Sequence, residues 1–84
     1  MKLKILALRD RQTDQFDKPM FMLTIGQAIR GLADEVNRQA ADNPLWAHPE
    51  DYELFDLGEW ETQNARFKLN EEPQSIALCS NLKR

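Results

Sequence analysis

One cysteine, Cys79, occurs in the 84 residues. A single thiol excludes an intramolecular disulfide and a multi-cysteine zinc site; it reads as a small buried hydrophobe and fits a reducing compartment. One histidine, His48, sits between Ala47 and Pro49 in a predicted loop. No partner converges on it in the sequence, so it supports neither a nucleophilic triad nor a metal centre, and the bland reading is a solvent-facing residue. The chain has three glycines and no G-x-G-x-x-G or P-loop. Gly26 and Gly31 fall inside a predicted helix rather than in a phosphate-cradling turn, and either could allow close packing on a sheet. Nothing approaches the roughly 20 apolar residues needed to span a bilayer. Arg9, Asp10 and Arg11 interrupt the opening MKLKILALRD before a signal-type apolar core can form. The expectation is a cytoplasmic protein with no membrane association, no cofactor and no enzymatic activity.

What is present suits one small folded domain. Hydrophobic residues make up 42% and charged residues 30%, too apolar for general disorder. A chain of this size buries only roughly 60–65% of its unfolded surface, and association with a second copy would bury more. The net charge of −3 is unevenly spread, with seven Lys and Arg against five Asp and Glu in residues 1–40, and four against nine thereafter. Such a chain is no general polyanion binder, although a local basic face is allowed.

The alternation of KLKILALR predicts a strand over 2–9. Leu3, Ile5 and Ala7 share one face, and Lys2, Lys4, Leu6 and Leu8 the other. Residues 10–18 read as a polar connection, and MFML after Pro19 as a short edge strand. Thr24-Ile25-Gly26-Gln27 matches a capping box, followed by an apolar stripe of Ile25, Ala28, Ile29, Leu32, Val36 and Ala40. On the polar side Arg30 and Asp34 are spaced to pair. Residues 42–51 form a loop anchored by Trp46, and YELFDLGEW and RFKLN form two strands of a hairpin. In that hairpin Glu59 and Glu61 lie near Arg66 and Lys68, a favourable cross-strand arrangement. Glu71-Glu72-Pro73 predicts a break, SIALCSNL a last strand, and Lys83-Arg84 a frayed tail. The outline is β-β-α-β-β-β: an α+β domain with one amphipathic helix on a mostly antiparallel sheet of about four or five strands.

Three groups of residues are functional candidates. Lys2, Lys4, Arg9, Arg11 and Lys18, with Arg66 and Lys68, could contact phosphates, while Phe16 and Phe21 could serve as stacking platforms or as core and dimer contacts. Glu53, Glu59 and Glu61 could dock on a basic partner, although a solvated sheet face is the plainer account of their charge. Leu6 and Leu8 could line a homo-oligomer contact on a sheet face that one helix leaves uncovered. Paired carboxylates at Glu50-Asp51 and at Glu59 and Glu61 are weak signals for a cation.

MKLKILALRD, AIRGLADEVN and HPEDYELFDLGEW, taken in this order with EEPQSIA near the end, resemble the small nonstructural protein family of gokushovirus-type microviruses, which are single-stranded DNA phages. The resemblance covers nearly the whole chain, and its most specific part is residues 48–60. It implies a protein of the infected host cytoplasm that assists synthesis or packaging of viral single-stranded DNA, sometimes by binding it. It carries no catalytic residues. MFML stands where a more aromatic stretch is expected, leaving Phe21 as the ring of that strand. The alternative is an adaptor whose acidic strand docks on a phage replication or capsid-assembly protein.

Overall fold

In the computed structural model, which describes residues 1–84, the first strand lies inside the sheet with neighbours on both sides. This strand, β1 (Lys2–Asp10), pairs on one edge with β2 (Gln15–Phe16) and β3 (Met20–Met22). Its other edge pairs with β4 (Tyr52–Glu61), which in turn carries β5 (Arg66–Leu78). All pairings are antiparallel, so the protein is a single small α+β domain with a five-stranded sheet and one main helix.

That helix, α1 (Ile25–Val36), begins where the sequence places it. The Thr24 hydroxyl accepts the Gln27 amide at 3.0 Å. Only this half of the capping box forms, since the Gln27 side chain makes no return bond. Ala28, Leu32 and Val36, spaced four apart, pack with Leu6, Leu54 and Cys79 into the core. Side chains of this size each contribute roughly 1.5–3 kcal/mol when fully buried. Leu6, Val36, Leu54 and Cys79 are all but inaccessible to solvent. Leu8, Met20, Met22, Ile25, Ile29 and Ile76 surround them.

The strand alternation therefore resolves differently from expectation. Leu6 and Leu8 lie beneath the chain's own helix, with Leu6 fully buried and Leu8 against the same cluster, so they are not free to line a contact with a second copy. The face opposite the helix belongs to the other set, Leu3, Ile5 and Ala7, and Ile5 and Ala7 are buried there as well.

The ladder is interrupted where β4 reads Asp56-Leu57-Gly58. Ile5 opposes Gly58 and Leu6 opposes Asp56, so Leu57 is an extra residue against β1. The β5 partner shifts by several residues at the same point, from Gln74 opposite Asp56 to Leu69 opposite Gly58. Asp56 is buried yet satisfied: Lys4 Nζ lies 3.3 Å from its carboxylate, which also accepts the Gly58 amide at 3.0 Å. Asn70 donates its side-chain amide to the Asp56 carbonyl at 3.0 Å. Gly58 has φ of 139°, and a Cβ there would lie 2.7 Å from Leu69 Cα. Such a conformation and such close backbone approach both require glycine. Gly26 and Gly31, by contrast, have no sheet backbone within 4 Å of an added Cβ.

Five further expectations are corrected. The predicted break at Glu71-Glu72-Pro73 is an irregularity inside β5, which runs on to Leu78 before a 3-10 turn at Cys79–Leu82. Pro73 is tolerated because β5 is an outer strand. The polar connection contains β2, and the 42–51 loop contains a short helix, α2 (Pro44–Ala47), capped by Asn43. Asp34 meets Arg84 at 3.5 Å rather than Arg30. The tail is tied down: Lys83 donates to the carbonyls of Val36 and Trp46 at 3.3 and 3.0 Å, and the Arg84 amide donates to Asn37 Oδ1 at 2.8 Å.

Candidate nucleic-acid interface

The core cluster draws nothing from residues 2–4, 59–61 or 66–69. These segments form one end of the sheet, an arm beyond the helix-covered half, and the molecule is correspondingly elongated at 41 × 23 × 20 Å. On the face opposite the helix, alternation and register bring Phe21, Trp60 and Phe67 side by side across the strands. Phe21 pairs with Ile5, and Trp60 with both Leu3 and Phe67. Phe21 meets Trp60 edge to face, with ring centroids 5.7 Å apart and planes at 72°. Trp60 and Phe67 are 6.4 Å apart at 37°.

The outer rings remain open, Phe21 at 42% and Phe67 at 62% exposure, and Leu69 beside them is 64% exposed. A second pair, Phe16 and Phe55 at 5.3 Å, continues the row toward the other end, with the Arg9 guanidinium 5.9 Å from the Phe16 ring. Ile5 and Ala7 are buried on this face, with cross-strand neighbours that include Phe21 and Phe55. A contiguous exposed apolar patch of this kind on a small protein marks an interaction surface.

The seven candidate cations divide. Lys2, Lys4, Arg66 and Lys68 gather on the arm, on the side away from the rings. Lys2 and Arg66 both face Glu61 across the strands, and Lys4 and Lys68 both face Glu59. This explains the acidic strand. Each glutamate stands between two basic residues in the ladder, and Glu61 also accepts the N-terminal ammonium at 2.8 Å. That bond, followed by one from the Gln63 amide, holds the Glu61 carboxyl below the usual carboxylate range.

Arg9, Arg11 and Lys18 lie elsewhere. Arg9 sits about 23 Å from Lys2, at the rise of an extended strand, where it pairs with Asp14. The Arg11 backbone amide donates to the Asp51 carbonyl at 2.7 Å, and Lys18 is exposed in the turn before β3. Glu53, the third acid proposed for docking, accepts a hydrogen bond from the Ser75 hydroxyl. Sequence reasoning named Phe16 and Phe21 but missed half-buried Trp60 and exposed Phe67 as part of one row. The signal was their placement on alternate residues of two strands joined by a tight turn, visible only once the register is known.

Two other features are weaker. His48, Glu50 and Asp51 bring potential ligand atoms within 4.8 Å of one another, but His48 and Glu50 are exposed on the surface. Cys79 is buried, and that burial raises its thiol pKa to about 11, which makes it inert at neutral pH.

No curated protein and no solved structure matches this chain. Residues 3–82, nearly the whole sequence, match the family described as phage ORF5 protein. The helix and, apart from Lys2, the whole sheet with its aromatic arm lie within the matched span, and the chain belongs to the phage ORF5 protein family.

Proposed function

We propose that the protein is a non-enzymatic accessory protein of a gokushovirus-type microvirus, made in the host cytoplasm, that binds single-stranded DNA during its synthesis or packaging. The observation that carries this reading is the row Phe21–Trp60–Phe67, its outer rings exposed and Trp60 half-buried between them, on an arm that also carries Lys2, Lys4, Arg66 and Lys68. Proteins that bind single strands without sequence preference combine stacking rings with cations that follow the backbone, and each stacked base contributes about 1–3 kcal/mol. Arg66 and Lys68 flank Phe67 on an outer strand, where flexible stems can reach a phosphate at the sheet's edge. The resemblance to microvirus nonstructural proteins supports the same reading. An adaptor docking through Glu53, Glu59 and Glu61 is less well supported, because Glu53 and Glu61 already accept hydrogen bonds within the fold and Glu59 faces Lys4 and Lys68 across the ladder.

The test is a titration of labelled oligo-dT, followed by anisotropy and by quenching of Trp60 in a Trp46→Phe background. Binding should weaken steeply with salt and quench Trp60 fluorescence. Phe67→Ala should reduce affinity about 5- to 150-fold, the equivalent of one lost stacking contact. Absence of binding at low salt, or binding unaffected by both Phe67→Ala and Lys68→Glu, overturns the proposal.

A further inference from the structure

At the opposite end from the arm, a cleft of about 500 Å³ opens between the β1–β2 turn and the segment leaving α1. This lies within the range of about 300–1,000 Å³ usual for binding pockets. Its apolar lining comes from Leu8, Phe16, Leu45 and the Tyr52 ring, and its charged lining from Asp10, Asp17, Glu35, Arg38 and Asp42. Arg38 is already engaged by Glu35, its Nη2 lying 2.6 Å from the carboxylate. Asp10, Asp17 and Asp42 have no cation within ion-pairing distance, unlike Asp14, Asp34, Asp56 and Glu61. Asp10 and Asp17 accept only local backbone amides, those of Gln12 and Lys18. The resulting negative potential is felt at Tyr52, whose phenol pKa is raised by burial and then by Asp10, Asp51 and Asp17.

We infer that this cleft docks a basic peptide segment of a partner protein, with Lys or Arg stems laid along Leu8, Leu45 and the Tyr52 ring and their charged heads reaching Asp10, Asp17 and Asp42. The choice of occupant follows from charge complementarity: three unpaired carboxylates rim an apolar floor, which suits a long aliphatic stem ending in a cation. A protein with this site could hold single-stranded DNA on the arm and a basic protein at the far end. The cleft does not depend on the DNA reading, because no arm residue lines it.

The experiment uses a labelled, amidated hexa-arginine peptide titrated into the full chain at low salt, with NMR mapping and two double variants. Shifts should concentrate at Leu8, Phe16, Leu45 and Tyr52. Asp17→Asn/Asp42→Asn should weaken the peptide about five- to twentyfold, the combined effect of two exposed charge pairs. Both positions are exposed, and the variant should retain oligo-dT binding, which reports that the fold and the arm are intact. Glu59→Gln/Glu61→Gln should leave peptide affinity within about twofold. Equal loss in both variants, shifts centred on β4 and β5, or no binding at low salt each overturn the inference.

Discussion

The two ends of the sheet are built from the same alternating pattern and finished in opposite ways. In the helix-covered half, Leu6 and Leu54 are closed under α1, and the acids at the rim, Asp10, Asp17 and Asp42, stand without cations. On the arm the apolar residues are rings left open, while the acids Glu59 and Glu61 are each flanked by bases. Stability and interaction are thus separated along the strands. The boundary is the Asp56-Leu57-Gly58 irregularity, where both neighbouring registers shift. The comparison also shows that a dense run of acids in sequence does not locate the acidic surface. That surface lies where partners are missing, at the end of the sheet opposite Glu59 and Glu61.

The sharpest way to break this comparison is to truncate one residue from each half. Leu54→Ala should cost about 2–5 kcal/mol in urea unfolding, since its side chain is fully buried. Phe67→Ala should cost less than about 1 kcal/mol, because that ring is largely exposed. Equal losses would mean the arm is part of the core.

Next in size is the boundary. Gly58→Ala should destabilise by about 1–3 kcal/mol, because the positive φ and the contact with Leu69 are both unavailable to alanine. Amide-exchange measurements should show faster exchange in residues 66–70 before the helix is affected.

The smallest effect is electrostatic and confined to the arm. The folded Glu61 carboxyl has a lowered pKa, so its contribution is fully present above its unfolded value, about 4.3, and is lost as pH falls through the lower folded value. An acid titration followed by NMR should show the Glu61 side chain and the N-terminal amine changing together. In Glu61→Gln the N-terminal amine signal should move at neutral pH, because the carboxylate that accepts its hydrogen bond is gone. If that amine is unaltered in the variant, the ion pair does not persist in solution.

Much of the fold was legible because local rules agreed with the tertiary outcome. Thr24 starts the helix, the 3-and-4 spacing from Ile25 to Val36 gives its buried stripe, and the charges of the 52–70 hairpin match across its ladder. What was not legible depends on long-range choices. Strand alternation in β1 offers two apolar faces, and nothing local says which one the helix takes, so Leu6 and Leu8 were assigned to the wrong side. Pro73 reads as a terminator unless β5 is known to be an outer strand. The tail reads as loose because its partners, Val36, Asn37 and Trp46, lie 37 to 47 residues away. For the candidate interface the cations were visible as residue types. Their division into an arm group and a distal group required the register.

The placement of β1 between β3 and β4 also has a kinetic consequence. The β4–β5 hairpin and the β1–β3 pairing close short loops, whereas Leu6 and Leu54 meet only after nearly fifty intervening residues, including α1, have been brought together. Local hairpins form in about 1–10 μs, and non-local pairing is slower. Trp60 and Phe67 can therefore be side by side while the hydrophobic core is still open. During refolding the ring pair on the arm should report structure earlier than Cys79 becomes protected, with the ladder from β1 to β4 as the step between them.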